Sequence, residues 1–133
     1  VSHLLDTNAC VHHLRHGPAS QVSANLLAAP VGSLYLCSVV IAELLFGARR
    51  SQQPTATLSA VRAFCSPYVS LPFDDRAAEE YSVIRSHLAG LGTIIGPNDL
   101  MIAAVAVANR LTLVTHNTAE FSRVPGLVIE DWQ

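Results

Sequence analysis

Leu34-Tyr35-Leu36-Cys37-Ser38-Val39-Val40-Ile41-Ala42-Glu43-Leu44-Leu45-Phe46 is apolar up to one serine, then apolar again except at one carboxylate. The first segment follows the breaker Pro30-Val31-Gly32-Ser33 and is short, which reads as a strand, 34–37, buried on both faces. Ser38 is placed to cap a helix over about 39–50, with Arg49 and Arg50 suiting the negative end of its dipole and Gln52-Gln53-Pro54 stopping it. Working outward, the same alternation recurs. Residues 1–7 read as a strand ending at Asp6, 19–29 and 55–65 as helices, and 68–73 as a third strand. A long amphipathic helix is expected over 74–91, closed by Gly90 and Gly92, then a helix over 99–110 capped by Asn98 and apolar on nearly every side. Strand four is expected at 111–115, a polar loop or short helix at 116–125, and an edge strand at 127–129. Apolar strands separated by helices describe one α/β domain over 1–133, a mainly parallel five-stranded sheet between two layers of helix.

At 133 residues, half of them hydrophobic, the chain suits one domain with its own core. Its longest uncharged apolar run, Leu100 to Ala108, is far short of a membrane span, and no signal-peptide pattern opens it, so it is read as soluble. Cys10, Cys37 and Cys65 are odd in number and form no Cys-x-x-Cys pair, which suits a reducing cytoplasm. A formal net charge of −2 gives no basic footprint for gripping nucleic acid by charge alone. The apolar composition suggests that some surface meets another chain.

Three acids sit inside apolar sequence: Asp6 in His3-Leu4-Leu5-Asp6-Thr7-Asn8, Glu43 in the opening stretch, and Asp99 before Leu100-Met101-Ile102. An ionised carboxylate withdrawn from water needs a cation or several donors. The chain has no lysine, and none of its eight arginines neighbours these acids in sequence. A divalent cation held at one rim of the sheet is the reading that follows, because ligands of open α/β sheets bind beyond the carboxyl ends of the strands. The exit from strand four adds Thr115, Asn117 and Glu120 as candidates. Each acid also has a plain alternative: Asp6 as a helix cap, Glu43 reaching for Arg50 across about 10 Å of helical rise, Asp99 favoured by its helix dipole. Asp74, Asp75, Glu79 and Glu80 read as solvated acids at a helix start, Cys10 as packing, and His12, His13, His16 and His116 as solvent or groove residues.

The chain resembles PIN-domain ribonucleases of the VapC toxin type. The resemblance rests on Leu4-Leu5-Asp6-Thr7-Asn8, on Ser38 to Gly47 around Glu43, on Pro97-Asn98-Asp99-Leu100-Met101-Ile102, and on Thr115-His116-Asn117 with Phe121 to Gly126. It implies a PIN fold and Asp6, Glu43 and Asp99 as the three acidic positions of a magnesium site that manganese also fills. Many such nucleases carry a further aspartate where this chain has Asn117, with Glu120 three residues later; Thr7, Asn8 and Thr115 are possible accessories. The resemblance further implies hydrolysis of RNA in a transfer or ribosomal RNA loop, initiator transfer RNA being the leading expectation. A homodimer and a cognate antitoxin are implied as partners, for which the apolar segments 39–46 and 100–108 suggest surfaces. Arg15, Arg49 and Arg50 are candidate RNA contacts. Two other readings compete. A degenerate domain of this family could bind a protein without catalysis, and a haloacid-dehalogenase-like phosphatase also starts from an aspartate at the end of strand one. The phosphatase needs an acid at position 8 and a lysine, and this chain has Asn8 and none.

Overall fold

The computed structural model describes all residues, 1–133, and places five strands in one all-parallel sheet. In chain order the elements are β1 (His3–Leu5), α1 (Thr7–His16), α2 (Gln21–Ala28), β2 (Leu34–Cys37), α3 (Ser38–Arg49), α4 (Pro54–Cys65) and β3 (Val69–Leu71). Then follow α5 (Asp75–Leu91), α6 (Pro97–Ala108), β4 (Thr112–Val114), α7 (Thr118–Phe121) and β5 (Ile129–Glu130). The expected α/β architecture is the one found.

Strand order is β3-β2-β1-β4-β5, so the chain builds outward from β1 on one side and returns to build on the other. His3 and Leu4 pair with Leu34 and Tyr35 of β2, while His3, Leu4 and Leu5 pair with Thr112, Leu113 and Val114 of β4. The order therefore reverses between β1 and β4, and the crevice above their carboxyl ends is where such sheets bind ligands. Leu4, Leu5, Leu36 and Leu113 are wholly inaccessible, as strands covered on both faces must be.

Helix boundaries differ from the sequence expectation for local reasons. The segment expected as one helix over 19–29 has a 3-10 turn at Gly17–Ala19, and Ser20 caps α2 by accepting from the Ser23 N–H at 3.1 Å. Ser38 is not a cap but the first residue of α3, whose cap is Cys37. α6 starts at Pro97, since proline suits a first turn where an N–H has no partner, so Gly96 rather than Asn98 is the cap. It ends at Ala108 because the Asn109 side-chain amide donates back to the Val105 carbonyl at 2.8 Å and Arg110 turns left-handed at φ 55°. Gly92, at φ 70°, closes α5 in the left-handed conformation that glycine tolerates.

α6 also corrects an expectation. Ile102, Ala103, Ala104, Val105 and Ala106 are all 0% exposed, so most of this apolar helix is used up inside the domain and leaves no broad face for another chain. On α3 the buried side is Val40, Leu44 and Ala48, and the outer side still presents Phe46 at 67% exposure. No helix is long and apolar enough to cross a membrane.

Candidate active site

Asp6 ends the central strand and is 3% exposed. Its backbone N–H donates to the Val114 carbonyl at 3.1 Å, which fixes it against β4. One carboxylate oxygen accepts from the Ala9 N–H at 2.8 Å, capping α1, so the plain capping role is real. Burial pushes its carboxyl above the ordinary range, opposed by bonds from the Thr115 hydroxyl and the Ala9 N–H, with Glu43 and Asp131 adding repulsion.

Glu43 is the sixth residue of α3 and reaches the same crevice from the β2 side. It does not turn to Arg50. Its Oε1 accepts from the Thr7 hydroxyl, and its Oε2 accepts from the Asn98 side-chain amide at 3.2 Å. Asn98 is the residue that the sequence reading missed in this role. Read as a cap, it instead uses its amide to steady an acid on another helix, and only its position one residue before Asp99 hinted at the site.

Asp99, the third residue of α6, is half-buried. Its carboxyl is pushed up to about 6 by burial first and then by Glu120, Glu43 and Asp6. Three acids far apart in sequence thus act electrostatically on the fourth. Glu120, on α7, accepts from the Gly96 N–H at 3.0 Å and from the Asn117 side-chain amide at 2.7 Å. Asn117 in turn is held by the Thr115 hydroxyl accepting from its backbone N–H at 3.0 Å. The fourth carboxylate at the rim is therefore supplied by Glu120, with Asn117 as the amide that orients it.

None of these four acids has a cationic partner. The ion pairs of the chain are His3–Glu130, Arg76–Asp74 and His116–Asp131. Four carboxylates at one rim, two of them (Asp6 and Asp99) with raised carboxyls and none with a lysine or arginine beside it, fit a site whose compensating charge comes from a divalent cation. Asp6, Glu43, Asp99 and Glu120 do not close into a ready-made cage of three ligands. A magnesium ion keeps several waters and needs few protein ligands, so an open rim of oxygen donors is compatible with it.

The remaining sequence candidates fall at different distances from this rim. Arg15 and Asn8, both exposed on α1, line a polar concavity beside Asn117. Arg49 and Arg50 lie exposed at the far end of α3 from the site. Asp74 caps α5 through the Ala77 N–H at 3.0 Å, as expected of a helix-start acid. Cys10, wholly buried, has its thiol pushed up by burial and is packing.

Residues 3–127 match the PIN domain family. The tRNA(fMet)-specific endonuclease VapC of Shigella flexneri is 41% identical over 130 residues, covering 97% of this chain and 96% of its own length. Ribonuclease VapC2 of Rickettsia felis is 36% identical over 130 residues, covering 98% of this chain and 97% of its own. The toxin fold is matched by the DNA-bound VapBC structure from Salmonella typhimurium, with a TM-score of 0.94 at 35% identity over 100% of this chain and 99% of that one. With the parallel sheet, the order of the motifs and the relatives in agreement, this chain belongs to the PIN-domain family, among the VapC ribonuclease toxins.

Proposed function

We propose that the chain is the toxin of a type II toxin–antitoxin pair and that it hydrolyses an RNA phosphodiester bond with a magnesium ion, replaceable by manganese, held at the rim described above. The observation that carries this is the convergence of Asp6, Glu43, Asp99 and Glu120 on one crevice with no arginine paired to any of them. Asp6 and Asp99 are the principal holders of the ion, Glu43 is the group facing the attacking water, and Asn117 with Glu120 completes the far side. When bound, the divalent ion supplies Lewis-acid neutralisation of the phosphate and makes water a stronger nucleophile.

The protein's own groups divide the remaining work. Each oxygen of Glu43 accepts one hydrogen bond, from Thr7 and from Asn98, and keeps a further acceptor site for a proton of the attacking water. The two donors fix its plane, so the carboxylate is oriented before substrate arrives. Water adds its oxygen to phosphorus and loses a proton to Glu43, while the bond from phosphorus to the 3′ oxygen breaks and that oxygen leaves with its electron pair and takes a proton from solvent. The products are a 5′-phosphate and a 3′-hydroxyl, with no part for the ribose 2′-hydroxyl as nucleophile.

The substrate proposed is an unpaired RNA loop, where bases can be splayed out for reading. Initiator transfer RNA is the leading candidate, because the Shigella flexneri relative at 41% identity carries that specificity in its name. A cognate antitoxin is the proposed protein partner, as in the VapBC assemblies that share this fold, and a homodimer the proposed state. Arg49 and Arg50 are proposed phosphate contacts outside the crevice.

Incubating the purified chain with total RNA and mapping new 5′ ends tests the proposal. Cleavage is expected with magnesium or manganese, lost in chelator, and lost in Asp6→Asn. Cuts that persist in chelator, or that end in 2′,3′-cyclic phosphate, overturn it.

A further inference from the structure

Beside the carboxylate rim, on the side of α1 and the β4 exit, lies a concavity of about 390 Å³ lined by Asn8, His12, Arg15, His16, His116 and Asn117 among others. Its size falls within the range of about 300–1,000 Å³ typical of small-ligand sites. Two of its lining residues neighbour the carboxylate rim. Asn117 bonds to Glu120, and Asn8 stands two residues beyond Asp6. The composition departs from that of the crevice: no Asp or Glu side chain lines it, and three amides, three imidazoles and one guanidinium do.

The rings are already arranged. His12 and His16, one turn apart on α1, lie with centroids 4.4 Å apart and planes tilted by 45°, so the two rings stand together as an aromatic pair lining the concavity. Across the concavity the His116 ring is oriented by Asp131, whose Oδ2 lies 3.0 Å from Nδ1. Flat rings with amides beside them suit an unpaired nucleobase, which stacks on aromatic faces and exchanges hydrogen bonds along its edges with groups that both donate and accept. A site for phosphate alone calls for clustered cations, and this one has a single guanidinium, enough for the one phosphate attached to that nucleotide.

We propose that this concavity is a nucleotide subsite: it takes the unpaired nucleotide next to the scissile phosphate, with its base on the His12–His16 surface, its edge read by Asn8 and Asn117, and its phosphate on Arg15. The inference rests on the ribonuclease reading above and deepens it, by naming the residues that position RNA when the chain as a whole is acidic. It also assigns a role to a histidine pair that the carboxylate chemistry leaves unused.

The test is a coupling measurement on binding. An RNA stem-loop is made with an abasic nucleotide at each loop position in turn. Its affinity is measured by fluorescence anisotropy for Asp6→Asn and for Asp6→Asn carrying His12→Ala and His16→Ala. Losing the base at one or two adjacent positions is expected to weaken binding to Asp6→Asn by about tenfold, the scale of base–aromatic stacking. The same loss should cost less than about twofold once the histidines are gone, since the contact is then already missing. Equal abasic penalties with and without the histidines overturn the subsite. If that coupling is present but the wild-type chain cuts no RNA in magnesium or manganese, the proposed function falls and the subsite stands. If no RNA binds at all, both fall.

Discussion

At the residue scale the site is built on unresolved charge. Asp99 is the clearest case, because its carboxyl lies at about 6 through burial and the acids around it, against an ordinary 3.8. A raised acid favours the fold when protonated. Its contribution is fully present below about 3.8 and is lost as pH rises through about 6. In metal-free protein, Asp99→Asn is therefore expected to melt at the same temperature as wild type near pH 4 and a few degrees higher above pH 7. That corresponds to about 1 kcal/mol once solvent screening of a half-exposed group is discounted. Thermal melts of both chains in chelator across this range check it, and a variant that is less stable at pH 7 contradicts it. The same substitution should abolish cleavage, so stability and activity move in opposite directions at this position. Asp6, Glu43 and Asp99 were legible from sequence, because a carboxylate amid apolar neighbours is costly wherever it stands. Asn98 was not, since an amide before a helical acid reads equally well as a cap, and only the approach of α3 to α6 shows which acid it serves.

At the element scale, α6 does two things with one stretch of chain. Its first turn carries Asn98 and Asp99 to the crevice, and the turns after it fill the core with residues that no solvent reaches. Ile102 belongs to the second group, and Ile102→Ala should cost about 2–5 kcal/mol through lost burial and the cavity left behind, read as a lower midpoint in urea. Asp99 stands on the same helix three residues earlier, so cleavage measured at low temperature should also fall as the helix loosens. Unchanged stability in this variant would show that α6 is not the buried prop that its accessibility indicates. The apolar pattern of 100–108 was correctly read as burial, yet the pattern alone does not distinguish a core helix from an interface helix, because both exclude water on most sides. The helix ends were less legible. Ser38 and Asn98 are both good capping residues by type, but the caps fell one and two residues earlier, where strand β2 and Pro97 fix the turn.

For the whole molecule, the repulsion among four carboxylates makes a prediction about the cation. Metal that binds the folded crevice and not the unfolded chain stabilises by mass action, about 2.7 kcal/mol at a hundredfold excess over its dissociation constant. Magnesium or manganese should therefore raise the melting temperature of the wild-type chain by several degrees, and much less in Asp6→Asn. Equal shifts in the two chains would place the cation elsewhere. The class of fold and the suspect acids are written in the chain: short apolar strands alternating with helices permit little besides a parallel α/β sheet, and isolated acids in apolar sequence announce themselves by their desolvation cost. Which acids meet depends on how the strands pair and the helices pack. The strand order β3-β2-β1-β4-β5 brings the ends of β1 and β4 side by side, and with them Asp6, Thr115 and Asn117. The packing of α3, α6 and α7 then delivers Glu43, Asp99 and Glu120 to the same rim. Spacing along a chain carries no record of that convergence, because the distance between two carboxylates is set by which strands pair and which helices cover them.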